Sequence, residues 1–129
     1  MYPLEETKTL TGTVGEFKAV SGGAAGKVAQ STAATEPVIG IAQQSGVADG
    51  SISVITQGPT RAIAGDNLDS ATAGHYQLMV DAQGRMVPWV AAGGPEFSVA
   101  IWRPSTAQPT ASANEQIEII FTGLTGYRA

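Results

Sequence analysis

The chain has 129 residues, 43% of them hydrophobic and only 14% charged, with a net charge of −4 and no cysteine. That length gives one domain with a sizeable core. The acidic balance leaves no basic stripe for phosphates, which argues against nucleic acid as a partner, and the missing thiols exclude disulfides and thiolate chemistry.

Apolar residues lie in discrete runs separated by glycine, sixteen of which are present, so turns rather than disorder are expected. Residues 1–8 are polar, contain Pro3 and lack periodicity, and read as an extended arm ahead of a single β domain over 9–129. The arm opens on Tyr2, Pro3 and Leu4, an apolar cluster biased to extended backbone before proline, and turns acidic at Glu5 and Glu6. It is expected to be a docking element outside the barrel, pairing with a neighbour's sheet edge. MYPLEETKTL lacks the basic-then-apolar design of a signal peptide, and no apolar run approaches the ~20 residues that cross a bilayer, so no membrane partner is expected.

Thr9 to Val20 mixes β-branched residues with glycine, which disfavours helix. SGGAAGKVAQ then supplies a glycine-rich turn and a short strand. EPVIGIAQQ is a short apolar strand. SISVITQG places Ile52, Val54 and Thr56 on one face and Ser53, Ile55 and Gln57 on the other. A weak helical option exists around Asn67 to Ala73. YQLMVDAQGRMVPWV is the clearest hairpin, turning at Asp81 to Gly84. Another strand ends at Trp102. Residues 103–115, RPSTAQPTASANE, form a long exposed polar loop. QIEIIFTG closes the chain's strands with Ile117, Ile119 and Phe121 aligned. The fold class is all-β, with at most one short helix.

The halves match in order. Phe17-Lys18-Ala19-Val20, a turn and Lys27-Val28 answer to Tyr76-Gln77-Leu78-Met79, a turn and Arg85-Met86. Glu36 to Ile41 answers to Pro95 to Ile101, and Ile52 to Gly58 answers to Ile117 to Gly123. Gly40 and Ala100 fall at matching places. This is an internal duplication of a hairpin and two further strands, expected to form a sheet pair or small barrel with pseudo-two-fold character.

Chemistry-bearing residues are sparse. His75 has Ser70 and Asp69 nearby in sequence but no nucleophile-elbow motif. GDNLDS, with Asp66, Asn67 and Asp69, fails the calcium-loop spacing and fits an Asx turn or cap. SGGAAGK lacks the Ser/Thr and the glycine spacing of a phosphate loop. No catalytic, cofactor-binding or metal-binding residue is assigned, no cofactor is expected, and an enzyme is not. Trp89 and Trp102 sit near strand ends, where core packing competes with a subunit contact.

The run from EFKAVSGGAAGKV through VIGIAQ, DGSISVITQG and AGD…AG to the hairpin closing on GRMVP resembles the small capsid decoration, or cement, proteins of tailed phages. The likeness covers about Thr9 to Gly123. It implies a β-tulip type barrel that assembles as homotrimers on the outer capsid surface of the virion and clamps neighbouring major capsid proteins. RPSTAQPTASAN and the polar arm depart from that pattern. Two other classes remain. A secreted or surface adhesion module would be monomeric and bind glycans or host protein. An enzyme or small-ligand barrel would need a convergent polar pocket around His75, for which the sequence offers no residues.

Overall fold

The computed structural model describes residues 3–89 and 97–125. The strands are β1 (Leu4–Thr9), β2 (Ala19–Gly22), β3 (Val28–Gln30), β4 (Val38–Ala42), β5 (Ser51–Ile63), β6 (Leu68–Asp69), β7 (Gln77–Val80), β8 (Met86–Pro88), β9 (Ser98–Trp102), β10 (Thr110–Ala111) and β11 (Gln116–Thr125). Only short 3-10 turns, Ala24–Gly26 and Ala73–His75, interrupt the β structure of the described residues. None of their helices is long and apolar enough to cross a membrane. The all-β reading holds.

The main sheet runs β3-β2-β4-β5-β11-β9-β7-β8, with β1 also paired to β5, and β10-β6 form a small second sheet. Every pairing between named strands is antiparallel. At its ends the sheet curls back on itself through parallel bridges from Leu10 to Val28 and from Ala64 to Met86. The result is a barrel-like wrap rather than a flat sheet.

Register shows that the duplication is structural. Val20 faces Gln30 and Gly40 in the first repeat, and Leu78 faces Pro88 and Ala100 in the second. Ile41 opposes Ile55, as Ile101 opposes Ile120. Lys8 opposes Ile52, as Ala62 opposes Ile117. The bridge of Val14 to Gly46 recurs as the β6–β10 pair, Leu68 with Ala111. β5 therefore serves twice: residues 51–57 are the last strand of repeat 1, and residues 58–63 are the first strand of repeat 2. It changes role at Gly58, whose φ is 105°, and β11 carries Gly123 (φ 76°) at the matching place. Both glycines adopt the left-handed region that other residues avoid.

Side chains repeat too. Lys27 Nζ donates to Asp49 Oδ1 at 2.8 Å, and Arg85 donates to Asn114 Oδ1 at 2.9 Å. Asp49 and Asn114 are matched left-handed residues, with φ of 64° and 73°. The hydrogen bond from Lys27, aided by its charge, holds the Asp49 carboxyl below the ordinary aspartate range.

Two apolar clusters follow the repeats. Leu10, Val14, Val20, Val28, Ala42, Ile52 and Val54 close repeat 1. Leu78, Met86, Trp102, Ile117, Ile119 and Phe121 anchor repeat 2, and Ala19, Val38 and Ile41 of repeat 1 join that second cluster. Repeat 1 thus lends its other face to the core of repeat 2.

Three expectations are corrected. The segment expected to stand outside the barrel pairs with β5 as strand β1 from Leu4 onward, with a register shift after Leu4–Gln57 and then continuous pairing from Glu5–Ile55 to Thr9–Ser51. The reason is backbone pairing: β5 is flanked at Val54 and Ile55 by β4 on one side and β1 on the other. The hairpin alignment shifts by one residue, so that Val20 matches Leu78 rather than Met79. Residues 103–115 are largely exposed, yet β10 pins their middle to β6 and buries Ala111.

Candidate docking surfaces

The chemistry-bearing residues of 66–75 serve their own loop. His75 Nδ1 accepts the Asp69 N–H at 2.9 Å, Asp69 Oδ1 accepts the Ala71 N–H at 2.9 Å, and Asp66 Oδ1 accepts the Asn67 N–H at 2.8 Å. The Asp69–Ala71 bond is the Asx turn expected of GDNLDS. Ser70 contributes its carbonyl to the Tyr76 hydroxyl at 2.7 Å. Among the described residues no group of three His, Cys, Asp or Glu side chains could hold a metal ion. The loop fixes the entry to β7.

The two tryptophans part ways. Trp102 is 1% exposed, at the centre of the second cluster, with its ring centroid 5.9 Å from that of Tyr76. It fills the place that Ala42 holds in repeat 1, and its Nε1 has no hydrogen-bond partner among the described residues. Burial removes it from any subunit contact. Trp89 is half-buried and lines an open hollow of about 690 Å³ with Asp66, Gly74, His75, Met79, Val87 and Pro88. Its apolar walls and single carboxylate suit an uncharged, compact group better than a polar ligand.

A second surface is the outer edge of β1. Leu4 is 57% exposed, and Glu5, Glu6 and Thr7 are exposed after it. Lys8 Nζ meets Glu6 Oε1 at 3.0 Å on the same strand. Such charges blunt an edge against indiscriminate pairing while leaving its backbone groups open to a chosen partner. Of the expected docking cluster, Pro3 and Leu4 lie at the start of this strand, and Tyr2 lies outside the described residues.

A third surface crosses β5, β11 and the end of β9. Arg61 opposes Glu118 in register, and the Arg103 N–H donates to the Glu118 carbonyl at 2.8 Å. Their side chains line a shallow cleft of about 250 Å³.

No protein-family model matches the chain, and neither does any curated protein. Solved structures include one that aligns with the chain end to end. The chain has the fold of the N base of a bacteriophage phi29 head fiber, gp8.5. The TM-score is 0.64 over 97% of this chain and 99% of that one, at 11% identity. At that identity the likeness shows the fold. It does not transfer residue roles.

Sequence reasoning missed β1 as a strand and could not separate the tryptophans. A polar edge strand carries no apolar alternation, and an apolar side chain reads the same in a core or a contact.

Proposed function

We propose that this protein is a structural protein of a phage head. In this reading it decorates the outer capsid surface as trimers and stabilises contacts between major capsid proteins. The observation that carries the reading is the end-to-end fold match with the head fiber base, which leaves almost none of either chain unaligned. The physical features are compatible: the loop chemistry is local, and an exposed edge strand and an apolar hollow offer contact surfaces. Many weakly held copies on a lattice stabilise a shell by mass action on the assembled state.

Within this reading, Tyr2, Pro3 and Leu4 form the head-docking element, with Leu4 opening the exposed edge strand β1. The test is co-sedimentation with undecorated heads, followed by heat challenge of the shells. Retention on heads and a raised temperature of DNA release are expected. Removing Met1–Pro3 together with Leu4→Asp should keep the β spectrum and weaken retention. Failure of the full chain to co-sediment with heads would overturn the proposal.

A further inference from the structure

The two repeats are alike, yet among the described residues the outer face of repeat 1 is buried where that of repeat 2 is exposed. In repeat 1 that face carries Ala19 and Ile41, both 0% exposed and buried in the core of repeat 2. The cover includes the β7–β8 turn, Asp81 to Gly84. The Gly84 carbonyl accepts the Ala19 N–H at 2.9 Å, and the Gln83 carbonyl accepts from Gln30 Nε2 at 3.1 Å and Lys18 Nζ at 3.3 Å. The fit is close: a Cβ on Gly84 would stand 3.0 Å from Gln30 Cγ and 3.2 Å from the Ala19 carbonyl oxygen.

Register maps each part of this contact onto the other repeat. Ala19 becomes Gln77, which is exposed, and Ile41 becomes Ile101, which is 41% exposed. Gln30 and Ser31 become Pro88 and Trp89, on the wall of the apolar hollow. The docked turn becomes Gly23–Gly26. Gly26 has the same left-handed φ as Gly84, 76° against 72°, but a Cβ on it would meet nothing within 4 Å. The run from Gly22 to Gly26 is exposed throughout. Among the described residues, the exposed Gly23–Gly26 turn is therefore a plug, and Gln77, Pro88 and Ile101, exposed or half-buried, form a socket of matching design.

We propose that the Gly23–Gly26 turn of one copy docks on the Gln77–Pro88–Ile101 face of the next, repeating between molecules the contact that joins the repeats within one. The occupant fits chemically: Gly23-Ala24-Ala25-Gly26 is small and uncharged, and Met79, Val87 and Pro88 give the socket apolar walls. In the matched contact the Gly26 carbonyl accepts the Gln77 N–H. The interface is heterologous, so copies join head to tail and close into a ring or extend as a filament. The inference stands on the duplication and goes beyond the head-associated reading, which calls for trimers but assigns no residues to the contact between copies.

The test uses the absence of native cysteine. Ala25→Cys and Pro88→Cys are made as separate full-length variants, following the Gln83–Gln30 contact inside the chain. Ala25 already has a left-handed φ of 57° without being glycine, so its replacement keeps the turn. The two variants are oxidised alone and as an equal mixture, free and with heads. The mixture should yield mainly the heterotypic disulfide. In sedimentation, Ala25→Arg and Ile101→Asp should each weaken self-association of the otherwise unmodified chain by about tenfold or more. No excess of heterotypic product, free or on heads, overturns the inference, as does undiminished association of both variants. Head binding without heterotypic linkage would sink this contact and leave the head-associated reading standing. Linkage without head binding would do the reverse.

Discussion

The two repeats share a register and differ in what lies against them. Repeat 1 is packed on both faces: its own cluster on one, the core of repeat 2 on the other. Repeat 2 has its own core and an outer face that stays partly open. Side chains at matched positions follow that difference. Ser21 and Ser31, buried and hydrogen-bonded to each other at 2.6 Å, correspond to Met79 and Trp89, half-buried beside a hollow. Ala42 corresponds to Trp102, and Gly40 to Ala100. A duplicated backbone sets equal hydrogen bonds. The volume left by neighbouring elements then decides which side chain each site admits.

The largest separation between repeats should appear at the tryptophans. Trp102→Ala empties the second core and should cost about 3–5 kcal/mol in urea unfolding. Trp89→Ala, at the open face, should lose less than about 2 kcal/mol. Equal losses would break the contrast between a closed core and an open face.

Gly40→Ala comes next. A Cβ there would overlap the Ile55 carbonyl oxygen and lie 2.5 Å from Val54 Cγ1. Overpacking of this kind costs about 1–3 kcal/mol. The reverse change, Ala100→Gly, loses only about 0.5–1 kcal/mol through backbone freedom. If Gly40→Ala is neutral by thermal melting, the closer packing of repeat 1 is wrong.

Ser21→Ala should then cost about 1–2 kcal/mol, because it leaves the buried Ser31 hydroxyl without that partner. Met79→Ala, its counterpart, should cost less. Equal and negligible losses in paired melts would show that the buried serine pair has no role in the packing of repeat 1.

The smallest effect concerns the matched hairpin ties. Asp49 titrates and Asn114 does not. The folded pKa of Asp49 is lowered by Lys27, so its contribution is present above the ordinary aspartate value and fades as pH falls through the lowered folded value. Asp49→Asn should flatten the acid limb of the stability–pH curve slightly, leaving stability at low pH unchanged. Because the pair is exposed, the shift should also shrink at high salt. An unaltered acid limb would remove the tie from the stability of the turn.

Much of this fold was legible beforehand. Alternation in Ile52–Gly58 and Ile117–Gly123 marked strands whose inward residues prove buried, and the Asp81–Gly84 turn stands where its residues put it. The hairpin match was off by one residue because Ala19 and Val20 are both apolar and either could face the core. A slip of one position exchanges the faces, and only cross-strand partners settle it. The docking surfaces were less legible. β1 is held by backbone bonds to β5, which polar side chains do not advertise.

The sequence by itself determined the all-β class, the order of strands, their duplication and the places where the chain must turn. Those features depend on local alternation and on residues such as glycine that alone tolerate a given backbone. Only the tertiary structure decided which face of each repeat is covered, that Trp102 is core while Trp89 borders a hollow, and that Gly84 is docked while Gly26 is free. Each of those depends on what a distant segment places against a residue, and the residue's own identity carries no record of its neighbour.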